Sequence, residues 1–520
     1  MSLFMAHLGA ALALFLATTD ATIVSTSLPT IAADLNASQN HYSWVSVSYM
    51  LTQTACQPLY PLFSHLAGRK AVLFSSIFIF VLGSALSGAA QTAVWLITTR
   101  AVQGIGAGGI VNSVWVLTSD IVTPQEKNKW SQALSATWSA SAIAGPLLGG
   151  IFSQHSDVFS WRWGFYMNIP IGLTALCLLC WSLRNFELEQ TITGFSWTAL
   201  RNEFVNNFDY IGVFLLVIGT SCTVLGFSIA AQQAWNAPTA LALLILGPFL
   251  LVSGVLYEAR TVRVAILPSA LFKSRSEVAI LIASLFHNVA FNAGTFYLAL
   301  YYQSVLGVGP LLCGVLMLPY SLGGALASVP IALFNDYLSK KTKNTSCYKY
   351  AIVAGLALAT IGFGLLTLLD DTSGPAIREI YPMIAGIGIG MLFHAPFAAL
   401  TNGMSSHDRS RSTSAFFLVR FIGATSGLSI AGAIFESKVS QSMPSNASLS
   451  LTSASADLRK LVNIEPLPLR MEVLHIVSSA ISWIWVVCVC CLGVACLVCG
   501  VAHSLANHES YSLGLIRSPS

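Results

Sequence analysis

Charge is what this 520-residue chain has least of. Asp, Glu, Lys and Arg together make up 9% of it, against about 25% in a typical soluble domain. That scarcity excludes an ordinary water-soluble enzyme, and the absence of any basic tract excludes nucleic acid as a partner. No Lys or Arg precedes the apolar stretch Leu8 to Leu16, so the start lacks the charged n-region of a secretory signal. The pattern G-x-x-x-x-G-K-[ST] does not occur, which removes the commonest ATP-binding loop. Eleven cysteines are present, but they fall in or beside apolar runs, and Cys496-x-x-Cys499 has no second pair or histidine cluster to complete a metal site. They read as small apolar filler.

Apolar residues fill the space that charge vacates. They make up 55% of the chain, in recurrent runs of about 20 residues, each long enough to cross a bilayer. Turn and charge signals divide them into fourteen spans with cores at 8–30, 42–62, 71–90, 93–119, 131–152, 163–183, 210–230, 238–257, 278–302, 312–334, 350–369, 379–402, 413–434 and 475–502. The fold class is therefore an all-α polytopic membrane protein. With both termini cytoplasmic, 17 of the 25 Lys and Arg fall in inner loops and the tail, and six outside, as the positive-inside rule requires. The sequons at Asn36 and Asn446 then face outward as glycosylation candidates, and one at Asn344 faces inward. LFSHLAGRK at 62–70 echoes LFNDYLSKK at 333–341. The echo pairs span 2 with span 10, and so predicts a six-span half over 1–183, a linker with two inserted spans over 184–276, a second half over 277–502 and a short cytoplasmic tail over 503–520.

RAVQGIGAGGIV, residues 100–111, contains the G-x-G-x-x-G of a dinucleotide-binding turn. That fingerprint needs a preceding strand, and a strand has no place inside a hydrophobic span. The glycines read instead as a helix-packing face, with Gly104 and Gly108 in G-x-x-x-G spacing. Arg100 needs another reason, since a mid-span Arg costs roughly 2.5–3.5 kcal/mol on insertion scales. At 1.5 Å per residue it lies roughly 10 Å from the outer edge of span 4, and Asp20 of span 1 lies about 12 Å from the same edge of a ~30 Å core. Two readings stand here: a static salt bridge, or a proton-coupling pair. A carboxylate beside a guanidinium stays ionised, and drawing the two apart favours protonation.

Several further motifs accompany this pair. Asp20-Ala-Thr22-Ile23-Val24 is followed by Leu28-Pro29, and WVSVSYML occupies 44–51. Arg100-x-x-Gln103-Gly104, Gly145-Pro146-x-x-Gly149-Gly150 and WRWGFYMNIPIG at 161–172 come next. Asp209-Tyr210-Ile211-Gly212, residues 301–319 and Arg420-x-x-Gly423 complete the set. Together they resemble the major facilitator superfamily, and more narrowly its fourteen-span drug:proton antiporters, including fungal toxin-efflux members. The resemblance implies a proton-coupled efflux transporter of small hydrophobic or amphipathic compounds. It implies two halves working by alternating access, with proton coupling at Asp20 and Arg100. It also implies a central cavity, for which Gln103, Asn112, His287, Asn292, Tyr297 and His394 are the candidate lining residues. Gly145 and Pro146 of span 5 would form a sealing kink, and Arg69, Asp120 and Asp336 would join a gating charge network. One departure is PLFSHLAGRK at 61–70, which carries His65 where the family has Asp. No cofactor, metal or enzymatic activity is implied. The expected partners are the substrate, protons and lipid, for a monomer in the plasma or vacuolar membrane. Uptake by proton symport, or a transport-inactive sensor, are the alternatives on the same fold.

Overall fold

A computed structural model describes residues 2–37, 39–123, 126–154, 160–184, 186, 209–232, 235–261, 267–272, 274–342, 346–401, 406–442 and 458–516. Its regular elements are helical. We number α1 Ser2–Asp34, α2 Gln39–Cys56, α3 Leu59–Ala67, α4 Arg69–Gly88, α5 Ala93–Ile121, α6 Lys127–Ser153, α7 Trp163–Tyr166, α8 Asn168–Leu183, α9 Tyr210–Gln232, α10 Pro238–Glu258, α11 Arg275–Ser304, α12 Pro310–Leu316, α13 Leu318–Thr342, α14 Ser346–Leu366, α15 Pro375–Met391, α16 Ala395–Thr401, α17 Ser406–Ser442 and α18 Leu467–Ile516.

Local chemistry sets several of these boundaries. Thr92 caps α5 by accepting from the Trp95 N–H at 3.2 Å, and Asp209 caps α9 by accepting from the Gly212 N–H at 2.9 Å. Gly68, at φ +88°, breaks the chain between α3 and α4, a conformation that costs any residue with a Cβ. The echoing segment 333–341 has no such break and stays helical to Thr342. Hydroxyls inside the helices bond back to their own backbone: Thr18 to Leu14 O at 2.8 Å, Ser76 to Val72 O at 2.6 Å and Thr425 to Phe421 O at 2.8 Å. This satisfies these three hydroxyls inside an apolar bundle.

Among the described residues, twelve helices are long and apolar enough to cross a membrane. Of the fourteen expected cores, 42–62 and 131–152 fall outside that set, although α2, α3 and α6 occupy them. The physical reason is placement. α6 packs between α1 and the α12–α13 pair, and α2 between α5 and α17. A helix walled by protein has no need of a lipid-facing apolar surface, so α6 can carry Ser131, Ser135, Ser139 and Ser141 buried. α10 is the opposite case. Only 17% of its most apolar stretch is buried, against 83% for α5, and Ile245, Phe249 and Val252 point outward. The α9–α10 pair leans on α2 and α17, pinned by Trp44 Nε1 donating to Ser228 Oγ at 3.2 Å and Trp235 Nε1 to Ser437 Oγ at 2.8 Å.

The glycine run of α5 is a two-sided packing surface. A Cβ on Gly104 would overlap Tyr49 O of α2, and one on Gly106 would overlap Phe80 N of α4. Gly104→Leu is expected to lower folded yield and the thermal unfolding midpoint, by an overpacking cost of about 1–3 kcal/mol or more. Gly364→Leu, at a site with nothing within 4 Å, is expected to leave both near wild type. Equal behaviour of the two variants would refute the packing role.

Candidate functional site

Asp20 and Arg100 meet. The Arg100 Nη1 donates to Asp20 Oδ2 in a fully buried ion pair. Gln103, one turn along α5, donates from Nε2 to Asp20 Oδ1 at 2.8 Å and accepts from Arg100 Nη1 at 2.8 Å. Asn168 of α8 donates to the same Oδ1 at 3.0 Å and to Ser84 Oγ of α4 at 2.8 Å. The guanidinium lies over the Tyr49 ring at 4.1 Å, and the Tyr49 hydroxyl donates to Ala17 O at 2.8 Å. The carboxylate therefore has donors from α5 and α8, and the cation rests on an aromatic face from α2. A buried ion pair is stable only when its remaining hydrogen-bonding capacity is met, and here groups from α2, α5 and α8 meet it. Asn168 stands in the WRWGFYMNIPIG motif, but nothing in sequence spacing assigns it to Asp20; that contact arises because α8 crosses beside α1 and α4.

The other expected residues are distributed along the interior. Asn112 accepts from Ser414 Oγ of α17 at 2.6 Å and from Gln57 at 3.5 Å. His394 Nδ1 lies 3.0 Å from Ser135 Oγ of α6. His287 Nε2 lies 3.1 Å from Ile389 O, with its ring against Phe291 and Phe393. Asn288, its neighbour, folds back to donate to Ser284 O, and Asn292 donates to Asn288 O. Tyr297 packs on Phe435 and lines a cavity of about 340 Å³ with Ser25, Leu28 and Ser46. A second cavity, of about 250 Å³, lies among Ala142, Phe291, Tyr320 and Phe393. Of the six expected lining residues, Tyr297 alone borders either of these two cavities.

The expected gating residues fall at two levels. Arg69, opening α4, pairs with Asp120 at the end of α5. Asp336 accepts from Asn128 Nδ2 of α6 at 2.9 Å and pairs with Lys340 at 2.7 Å. His65 lies on α3, but its side chain is outside the described residues, as is Asn446. Gly145 and Pro146 sit at the crossing of α6 with α1: a Cβ on Gly145 would overlap Thr22 Oγ1, and Thr26 donates to Pro146 O at 2.9 Å. On another side of α6, Gly314 of α12 faces Pro146 O. Asn36, exposed and at φ +47°, follows α1 beside a pin formed by Trp161 Nε1 donating to Asp34 at 2.8 Å. The two cysteines of the C-x-x-C point to different neighbours, Cys496 to Val353 O and Cys499 to Ala279 O.

Removing one member of the buried pair leaves the other uncompensated, at about 3–5 kcal/mol. Asp20→Asn is expected to lower the unfolding midpoint more than the double variant Asp20→Asn/Arg100→Gln does. A double variant as unstable as the sum of both singles would show that the two charges are not coupled.

Comparison with known proteins agrees with this architecture. Residues 10–428 match the sequence profile of the Major Facilitator Superfamily. An MFS-type transporter of Schizosaccharomyces pombe is 31% identical over 481 residues, covering 92% of this chain and 78% of that one. The efflux pump dotC of Dothistroma septosporum is 29% identical over 519 residues, covering 98% and 85%. The acurin A biosynthesis cluster MFS-type transporter of Aspergillus aculeatus is 30% identical over 430 residues, covering 82% and 74%. Among solved structures, a bacterial homolog of the human lysosomal transporter Spinster, inward-facing and unoccupied, superposes with a TM-score of 0.64 at 13% identity, covering 97% of each chain. The family and these relatives are transporters rather than enzymes. With a profile match over most of its length and a bundle of apolar helices, this chain belongs to the Major Facilitator Superfamily, as an integral multi-pass membrane transporter.

Proposed function

We propose that this transporter exports small hydrophobic or amphipathic organic compounds in exchange for protons, with Asp20 as the proton-carrying group. The supporting observation is the saturated carboxylate: Asp20 is buried between Arg100, Gln103 and Asn168, so gaining a proton there removes the charge that gathers α1, α5 and α8. Arg100 then keeps Gln103 and the Tyr49 face, and α1 is released from its partners. Protonation from one side and deprotonation from the other would drive alternating access. The names of relatives, an efflux pump and a biosynthetic-cluster transporter, favour export over uptake.

In this reading α2–α3 and α6 also cross the bilayer, giving fourteen spans with both termini cytoplasmic in the plasma membrane. The halves 1–183 and 277–502 rock against each other around the α9–α10 pair. Contacts between them include both ends of the helices as well as the interior, where Thr54 lies 3.0 Å from Thr425 and Ser414 donates to Asn112. Asn128 and Gln132 reach Asp336 and Ala332 at one end, and Gly150 meets Pro310 at the other. Each set would part in turn, with Gly145 and Pro146 sealing the middle, and Arg69–Asp120 bracing the cytoplasmic end.

In proteoliposomes, an imposed pH gradient is expected to drive flux of an amphipathic dye in the wild type, and Asp20→Asn is expected to reduce that flux at least tenfold, in the range of a lost proton-transfer group. Equal flux in a folded Asp20→Asn would remove Asp20 from coupling, and flux running with the proton rather than against it would favour symport. For orientation, a glycosylating host is expected to add a glycan that Asn36→Gln abolishes and a glycosidase removes; glycosylation at Asn344 instead would invert the topology.

A further inference from the structure

Arg420 of α17 is the second cation inside the bundle, and it has no Asp20 of its own. Its side chain is 3% exposed, and its Nε and Nη2 have no hydrogen-bond partner. The rings of Trp138, Phe416 and Phe417 surround the guanidinium, 4.7, 5.6 and 5.9 Å from its central carbon. The buried carboxylates among the described residues are Asp20, Asp209 and Glu258. Asp20 is committed to Arg100, Asp209 caps α9, and Glu258 accepts from the Leu267 N–H. A buried cation without an anion is unfavourable unless something supplies one, and aromatic faces compensate only in part. A second orphan belongs to the same cluster. His394 Nε2 is buried without a partner, while its Nδ1 is held by Ser135, one turn before Trp138. Phe397, on the helix that follows His394, packs edge-on against Phe416 and tilted against Phe417. The cavity of about 250 Å³ adjoins this cluster, since its lining includes Ala142, one turn beyond Trp138, and Phe393, next to His394.

We propose that Arg420 binds the carboxylate of the substrate itself, so that the solute carried is a small aromatic acid in its anionic form. The acid group bridges Arg420 Nε and Nη2, a fork that matches a carboxylate in two parallel hydrogen bonds. The body of the solute stacks on Trp138, Phe416 and Phe417. This inference rests on the transport reading for its consequence, but not for its test.

The test uses the purified full chain and three probes of nearly equal shape: 1-naphthaleneacetate, 1-naphthaleneacetamide and 2-(1-naphthyl)ethylamine, with binding measured by calorimetry. The acetate is expected to bind at least about tenfold more tightly than the amide or the amine. Arg420→Gln is expected to bring the acetate to within about twofold of the amide, while unfolding at a higher temperature than wild type because an unpaired buried charge is gone. Arg420→Lys, which keeps the charge and loses the fork, retains part of the preference. The inference is overturned if wild type binds the amide or amine as well as the acetate, if it does not bind the acetate, or if Arg420→Gln keeps the preference. Gradient-driven flux of the amine without acetate binding sinks this inference and leaves the transport reading standing. Arg420-dependent acetate binding without gradient-driven flux of any probe does the reverse.

Discussion

An arginine in the interior of an apolar helix bundle is costly unless an anion and acceptors lie close by. Arg100 finds them in Asp20, Gln103 and the Tyr49 face, and Asp20 in turn draws Asn168 toward it. Much of the first part of the molecule is arranged so that this can happen. The glycines of α5 let α2 and α4 approach closely enough to deliver Tyr49 and Ser84. The missing side chain of Gly145 lets α6 lie close against α1, where Thr26 donates to Pro146 O. An ion pair so placed is costly to assemble and costly to break on one side only.

The two buried arginines answer the same problem in different ways. Arg100 has an internal counter-ion. Arg420 has aromatic rings and no carboxylate. In the proposed reading, the first serves proton chemistry through Asp20 and the second a ligand. The His394–Ser135 contact and the ring contacts of Phe397 place the second site where α6, α16 and α17 meet, between the two groups of contacts that would open in turn.

How much of this could be read from the sequence depends on the distance over which each contact is decided. The Asp20–Arg100 pair was legible because helix rise fixes depth, and two opposite charges at equal depth in apolar spans leave few other solutions. The glycine run was legible for the same reason: its spacing is a property of one helix. Asn168 was not, since its partner depends on how α8 crosses α1 and α4. α2 and α6 are less apolar than their neighbours because protein rather than lipid walls them, and hydropathy alone cannot separate that case from a helix that does not cross. His287 and Asn288 are adjacent and both buried; the structure resolves their competition by folding Asn288 back onto its own helix. Arg420 stood out as a charge in a span, but the want of an acid partner is a statement about every neighbouring helix, and only the assembled bundle contains it.

The most direct test of the central claim, that the charge on Asp20 governs the opening of the bundle, is a distance. Spin labels at Gln154→Cys on the end of α6 and Gly309→Cys before α12, in a cysteine-free background, straddle the contact of Gly150 with Pro310. In wild-type protein the distance distribution should shift with pH. In Asp20→Asn it should hold at the wild-type low-pH distribution whatever the pH. A folded Asp20→Asn whose distances still follow pH as the wild type does would contradict the account and place the proton switch elsewhere.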